Sequence, residues 1–196
     1  MAEQQDDLVP TMTEGYRVGE KKTLEEYHNL DAGDESLRKW KESLGLKAGA
    51  GNAAPPDDPR KVVVLQLAME VDGRDDVVLD LSSKDALEKT KTTVITIKEG
   101  IHYRFKIKFK IQHDVVSGLK YLQVVKKMGV RVDKEENMLG SYGPSAEPYE
   151  KKFPEEEAPS GMLARGRYEV KSKFVDDDGI VHLEWQWAFK ISKDWE

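Results

Sequence analysis

The chain has 196 residues, 38% of them apolar and 35% charged, and its formal net charge of −6 is concentrated in residues 1–60, which carry −5. A nearly neutral body behind an acidic arm excludes general nucleic-acid binding, which needs a positive field facing phosphates, and suits a basic protein partner. There is no cysteine, so a disulfide framework, a thiolate metal site and a cysteine nucleophile are excluded, and a reducing compartment is expected.

The opening MAEQQDDLVPTM has neither the basic start nor the apolar run of a secretory leader. No stretch of about 18 apolar residues follows, so the expected setting is cytoplasmic. Two short helical patterns come next. At residues 23–30, Thr23 is placed to cap and Glu26 to reach back to it, with Leu24 and Tyr27 on the apolar side. At residues 34–44, Asp34 is a good N-cap, Leu37, Trp40 and Leu44 recur on one face, and Gly45 ends the run. Helices this short are marginal alone. The stripe of Leu37, Trp40 and Leu44 either packs on the body or orders on a partner. The Gly, Ala, Pro and Asp run of residues 45–60 reads as a linker and favours the partner.

After residue 60 the apolar period changes to two. Residues 62–71, 77–81, 92–98, 101–112, 119–125, 129–132, 166–175 and 181–192 read as strands, with Asp-Gly, Glu-Gly and Ser-Gly turns between many of them. So many short strands in residues 61–196 indicate a β-sandwich or barrel. The last strand puts Leu183, Trp185, Trp187, Phe189 and Ile191 on one face, an apolar row that fits either a dense core or one wall of an apolar cavity. The strand from Ile101 repeats the pattern, with His102, Arg104, Lys106, Lys108 and Lys110 opposite. That basic stripe is either a solvated sheet face or an attractor of acidic lipid or protein.

Nothing suggests catalysis. The four histidines are scattered without metal-ligand spacing, and no phosphate-binding or nucleophile-elbow motif is present. Asp176, Asp177 and Asp178 before Gly179 lack the alternating calcium-loop spacing and read as a hairpin tip. A non-enzyme without metal or cofactor is expected.

Several stretches together resemble the Rho GDP-dissociation inhibitor family: LDAGDESLRKWKESL from Leu30, VVSGLKY from Val115, GSYGPSAEPYE from Gly140, EEAPSGMLARG from Glu156, and DDDG with HLEWQW from Asp176. The resemblance runs from about Tyr16 to the C-terminus. It implies an all-β, immunoglobulin-like sandwich preceded by a flexible N-terminal arm with two short helices. It further implies a binding protein that takes geranylgeranylated Rho-family GTPases, GDP-bound by preference and one to one, inhibits GDP release, and draws them from membranes into the cytosol. By similarity the prenyl pocket includes Leu67, Met69, Ile95, Tyr103, Val115, Trp185 and Trp187, with Trp185 open to a plain core role. Tyr16, Tyr27, Leu30, Asp34, Ser36, Asp177 and Asp178 match positions that meet the GTPase. Glu155, Glu156 and Glu157 are placed for its basic tail. The match departs after Tyr16, where Arg17, Val18 and Gly19 replace Lys-Pro-Pro, and it is poor over residues 80–91. A general carrier of lipid-modified proteins is the alternative reading of the same architecture.

Overall fold

A computed structural model describes residues 8–11, 26, 34–36, 39, 55 and 57–195. From residue 62 the chain runs β1 (Val62–Glu70), β2 (Val77–Asp80), α1 (Lys84–Thr90), β3 (Val94–Lys98), β4 (His102–Ile111), β5 (Val116–Lys127), β6 (Val130–Tyr142), β7 (Tyr149–Glu157), β8 (Gly166–Val175) and β9 (Val181–Ser192). Two sheets form, in the orders β2-β1-β4-β7 and β3-β9-β8-β5-β6. All pairings are antiparallel except β3 with β9, where Val94 lies opposite Ala188 and Ile97 opposite Ile191. The result is the expected immunoglobulin-like sandwich.

The alternation of β4 explains the layering. Tyr103, Phe105, Ile107, Phe109 and Ile111 are buried, while the residues between them are partly exposed. They meet the inward residues of β8 and β9, including Phe174, Trp185 and Trp187, in one contiguous cluster. The opposite, basic face of β4 is answered by carboxylates on neighbouring elements: Lys106 contacts Glu70 and Asp76, Lys108 contacts Glu150, and Arg104 contacts Glu155. Those ion pairs make it a solvated, charge-balanced sheet face.

Four elements differ from the expectation. Residues 84–90 form α1, with Ser83 Oγ accepting the Ala86 N–H and Thr90 Oγ1 donating to the Gln186 carbonyl of β9. β3 accordingly starts at Val94. β6 extends to Tyr142 rather than ending near residue 132, and β7 was not foreseen at all. Both are edge strands whose residues are largely exposed, so no apolar alternation marks them, and Pro154 is tolerated because β7 has an unpaired side.

A buried hydrogen-bond chain ties the inner face of the second sheet. The Trp187 indole N–H donates to Ser172 Oγ at 3.0 Å, Ser172 lies 3.0 Å from the Tyr121 hydroxyl, and that hydroxyl donates to Gln123 Oε1 at 2.7 Å. Ser172 is fully buried, so removing its hydroxyl strands its partners in an apolar setting. Ser172→Ala is therefore expected to lower unfolding free energy by about 1–3 kcal/mol in urea denaturation.

Candidate functional site

Six of the seven residues expected to line a pocket converge between the sheets. Leu67 and Met69 come from β1, Ile95 from β3, Tyr103 from β4, and Trp185 and Trp187 from β9; each is at most 9% exposed and all belong to one cluster. Val115 does not join them. It precedes β5 in a turn where His113 has φ 65° and Asp114 Oδ1 accepts the Val115 N–H, so the inward row restarts at Val116, which is buried in the cluster. The two tryptophans also differ. Trp187 is fixed through Ser172, whereas the buried Trp185 indole N–H has no hydrogen-bond partner among the described residues.

The cluster is graded from one end to the other. At the start of β4 the Tyr103 hydroxyl donates to Glu156 Oε2 at 2.7 Å, and the Tyr103 ring packs edge-to-face on Phe105, which packs the same way on Trp187. Burial, then the Glu156 charge, pushes the Tyr103 hydroxyl well above the usual phenol range. Glu135 on β6 faces this place: burial, then the charges of Glu156 and Asp133, raise its carboxyl above the ordinary value. Asp133, Glu135 and Glu156 thus make an acidic rim on the edge strands β6 and β7. Glu155 and Glu157 stand exposed beside it, with Glu155 reaching Arg104 and His102. A cleft of about 450 Å³ lined by Ile101, His102, Tyr103, Arg104, Glu70 and Glu155 lies alongside. Toward the far end of β4, six residues and roughly 20 Å from Tyr103, Phe109 closes the interior with Tyr142 and Tyr149, whose rings lie 5.1 and 5.8 Å from it.

A second acidic station is the β8–β9 hairpin. Asp176 is buried; its carboxylate accepts from the Ile180 N–H at 2.9 Å and lies 2.8 Å from His182 Nε2. This pair sets the direction of the next two residues. The Asp177 N–H donates to the Ser117 carbonyl, and its carboxylate lies over Gly118 and 3.0 Å from Lys120 Nζ. Asp178 is exposed. Of the two aspartates expected to face a GTPase, Asp178 points outward and Asp177 is held against the body.

In the arm, Asp34 Oδ1 accepts the Ser36 N–H at 2.8 Å, a capping contact, and Glu35 and Lys39 pair one helical turn apart. Tyr16, Tyr27 and Leu30 lie outside the described residues, as do Leu37, Trp40 and Leu44. From Asp58 onward the chain is pinned to the sandwich. Arg60 forks onto the Asp58 carboxylate, the Gln112 side chain donates to the Arg60 carbonyl, and His113 contacts the Asp58 carbonyl. Sequence reasoning missed Asp133, Glu135, Gly118 and Lys120. The first two lie on a polar edge strand, and only the Ser-Gly turn signal at residue 118 hinted at the third.

No group of metal-binding side chains occurs among the described residues, and no helix among them is long and apolar enough to cross a membrane. A profile of the family described as RHO protein GDP dissociation inhibitor matches residues 1–194. The Rho GDP-dissociation inhibitor of Schizosaccharomyces pombe is 50% identical over 179 residues, covering 91% of this chain and 86% of that one. The Saccharomyces cerevisiae protein of the same name is 46% identical over 182 residues, covering 91% and 90%. Rho GDP-dissociation inhibitor 1 of Homo sapiens is 44% identical over 181 residues, covering 92% and 87%.

The hairpin generates two expectations. A Cβ on Gly118, whose φ is +59°, would lie 1.8 Å from Asp177 Oδ2 and 2.1 Å from Cγ, so Gly118→Ala expels the carboxylate from Lys120. A loss of about 1–3 kcal/mol is expected by denaturation, shrinking in an Asp177→Ala background to the cost of the positive φ alone. The second concerns acid. Burial raises the Asp176 carboxyl, but the His182 and Ile180 contacts outweigh it, and its value in the folded protein is below the ordinary one. The stabilisation is present above the unfolded value near about 4 and is lost as pH falls through the lowered folded value. In urea titrations at stepped pH, Asp176→Asn is expected to start less stable and to lose less stability on acidification.

Proposed function

This chain belongs to the Rho GDP-dissociation inhibitor family, and we propose that it sequesters geranylgeranylated Rho-type GTPases in the cytosol, slowing GDP release and taking the prenyl chain between its sheets. The observation that carries the pocket assignment is the continuous path from Glu156 through Tyr103 and Phe105 to Trp187, which leads from an acidic rim to an apolar interior. A prenylated tail rich in basic residues presents the complementary sequence, cations first and hydrocarbon behind. The rim supplies steering and the interior supplies burial.

The lining side chains fill the space between the sheets. Entry of a prenyl chain therefore requires them to part, with Met69 the most adaptable member of the wall. Burying about 20 carbons at roughly 0.8 kcal/mol each gives an upper bound near 16 kcal/mol, but a bilayer offers nearly the same gain. Transfer out of the membrane thus depends on protein contacts that lipid cannot make. Those belong to the arm, with Tyr16, Tyr27, Leu30, Asp34 and Ser36, and to Asp177 and Asp178 on the body. Ordering an arm costs on the order of 1–2 kcal/mol per residue, which only a large GTPase surface offsets. Covering the switch regions in a one-to-one complex would also close the route by which nucleotide leaves, and binding of the GDP form in preference follows if the arm fits the relaxed switches better.

The family acts as a regulatory inhibitor, so no turnover is assigned to this chain. A general carrier of lipid-modified proteins is disfavoured because the matches leave under a tenth of the chain uncovered and so take in most of the 60-residue arm as well as the body.

Liposomes bearing geranylgeranylated Rho-type GTPase provide the test. Added protein is expected to move GTPase into the soluble fraction, and retention of all of it on the membrane overturns the reading. Trp187→Ala is expected to reduce extraction at least ten-fold more than it reduces affinity for unprenylated GTPase. An equal fall in both would mean that Trp187 acts only through stability.

A further inference from the structure

The outer face of the second sheet has an occupant. On β5, Tyr121 and Val125 point into the sandwich, so Lys120, Leu122 and Val124 point away from it, where an ordinary surface strand is wet. Yet Leu122 and Val124 are 0% and 1% exposed, and with Val175 of β8 they form a separate apolar cluster whose fourth member is Leu8, itself 0% exposed. Hydrogen bonds fasten the same short segment. Lys173 Nζ donates to the Leu8 carbonyl at 3.2 Å, Lys120 Nζ to the Thr11 carbonyl at 2.8 Å, and the Thr11 N–H donates to Glu136 Oε2 at 3.0 Å. The two lysine side chains are only 5% and 6% exposed, so each is buried against a backbone acceptor rather than waving in solvent.

We propose that residues 8–11 are an intramolecular anchor that plugs the slot formed by Leu122, Val124 and Val175 between Lys120 and Lys173. The slot recognises an extended segment by one branched apolar side chain and two carbonyls three residues apart. Its consequence is topological. The chain is fixed to the sandwich at Thr11 and again at Asp58, so the arm has an attachment to the body on either side of it instead of on one side alone. A second tether confines the arm to a smaller volume and raises its effective concentration at the body. The anchor also shares a cation with the hairpin, since Lys120 Nζ contacts both the Thr11 carbonyl and Asp177. Docking of the anchor and placement of Asp177 are thereby linked. The tether's role in capture rests on the function proposed above; the anchor itself does not.

The cysteine-free chain makes the anchor directly testable. Val124→Cys supplies a unique thiol beneath Leu8, and Val125→Cys supplies one on the opposite face of the same strand. With Leu8 in place, a bulky maleimide is expected to label Cys at position 124 slowly. Leu8→Ser is expected to accelerate that labelling at least ten-fold while leaving position 125 slow. Equal rates at 124 with and without Leu8, or acceleration at both positions, overturn the anchor. In a second measurement, complexes of the Leu8→Ser chain with prenylated Rho-type GTPase are expected to dissociate several-fold faster than those of the parent chain. Unchanged dissociation alongside faster labelling overturns the tether's role and leaves the anchor standing. Failure of the parent chain itself to bind the GTPase would refute the proposed function, with the labelling result unaffected.

Discussion

Phe105 on β4 and Trp187 on β9 meet edge-to-face across the sandwich with ring centroids 5.5 Å apart, and the rest of the body is organised around that contact. On one side it is continued by Tyr103 to the acidic rim, and on the other Trp187 is held by Ser172, whose hydroxyl also meets Tyr121. The contact joins the two sheets without any backbone ladder between them, since every strand pairing runs within one sheet. Side-chain packing, with no hydrogen-bonded ladder between them, is what chiefly joins the layers, and packing can be exchanged for a ligand of similar chemistry.

The acidic character detected in composition is resolved into places with different surroundings. Glu156 is bonded to a phenol, the Glu135 carboxyl is held above its ordinary value by burial and by the charges of its neighbours, and Asp177 is held by a buried lysine. Asp178 and Glu157, by contrast, are exposed at the surface. Exposed carboxylates mainly set association rate and salt dependence, whereas held ones fix shape. The two stations lie on the same strand-edge region, since Gly118 under Asp177 and Gln123, paired with Glu135, are five residues apart on β5, or roughly 17 Å.

Legibility in the sequence followed burial. β4, β8 and β9 could be read from alternation because one face of each is apolar and the other charged. β6 and β7 could not, because edge strands bury little and carry residues chosen against pairing. α1 is too short for its periodicity to stand out and is held by a cap and by β9. Val115, the one expected pocket residue outside the buried cluster, shows how a turn decides which of two adjacent valines faces inward: a shift of one position reverses the face. The six others are buried in one cluster because the strands that carry them were read with the right alternation. Most of the arm positions lie outside the described residues, so the sequence and the family remain the source for them. The apolar residues on both faces of LKYLQVV in β5 were a signal left unused: a strand apolar on both sides must be covered on both.

The closed packing between the sheets has a consequence for the protein's surface. Lining an open cavity, these inward rows would leave a large apolar surface facing water. Here the same side chains pack on one another, the aromatic end at Phe109, Tyr142 and Tyr149 stays shut, and both flanking edge strands are charged. The protein therefore keeps this apolar surface away from other molecules. Hidden in this way, the most apolar rows of the sandwich add nothing to its tendency to aggregate.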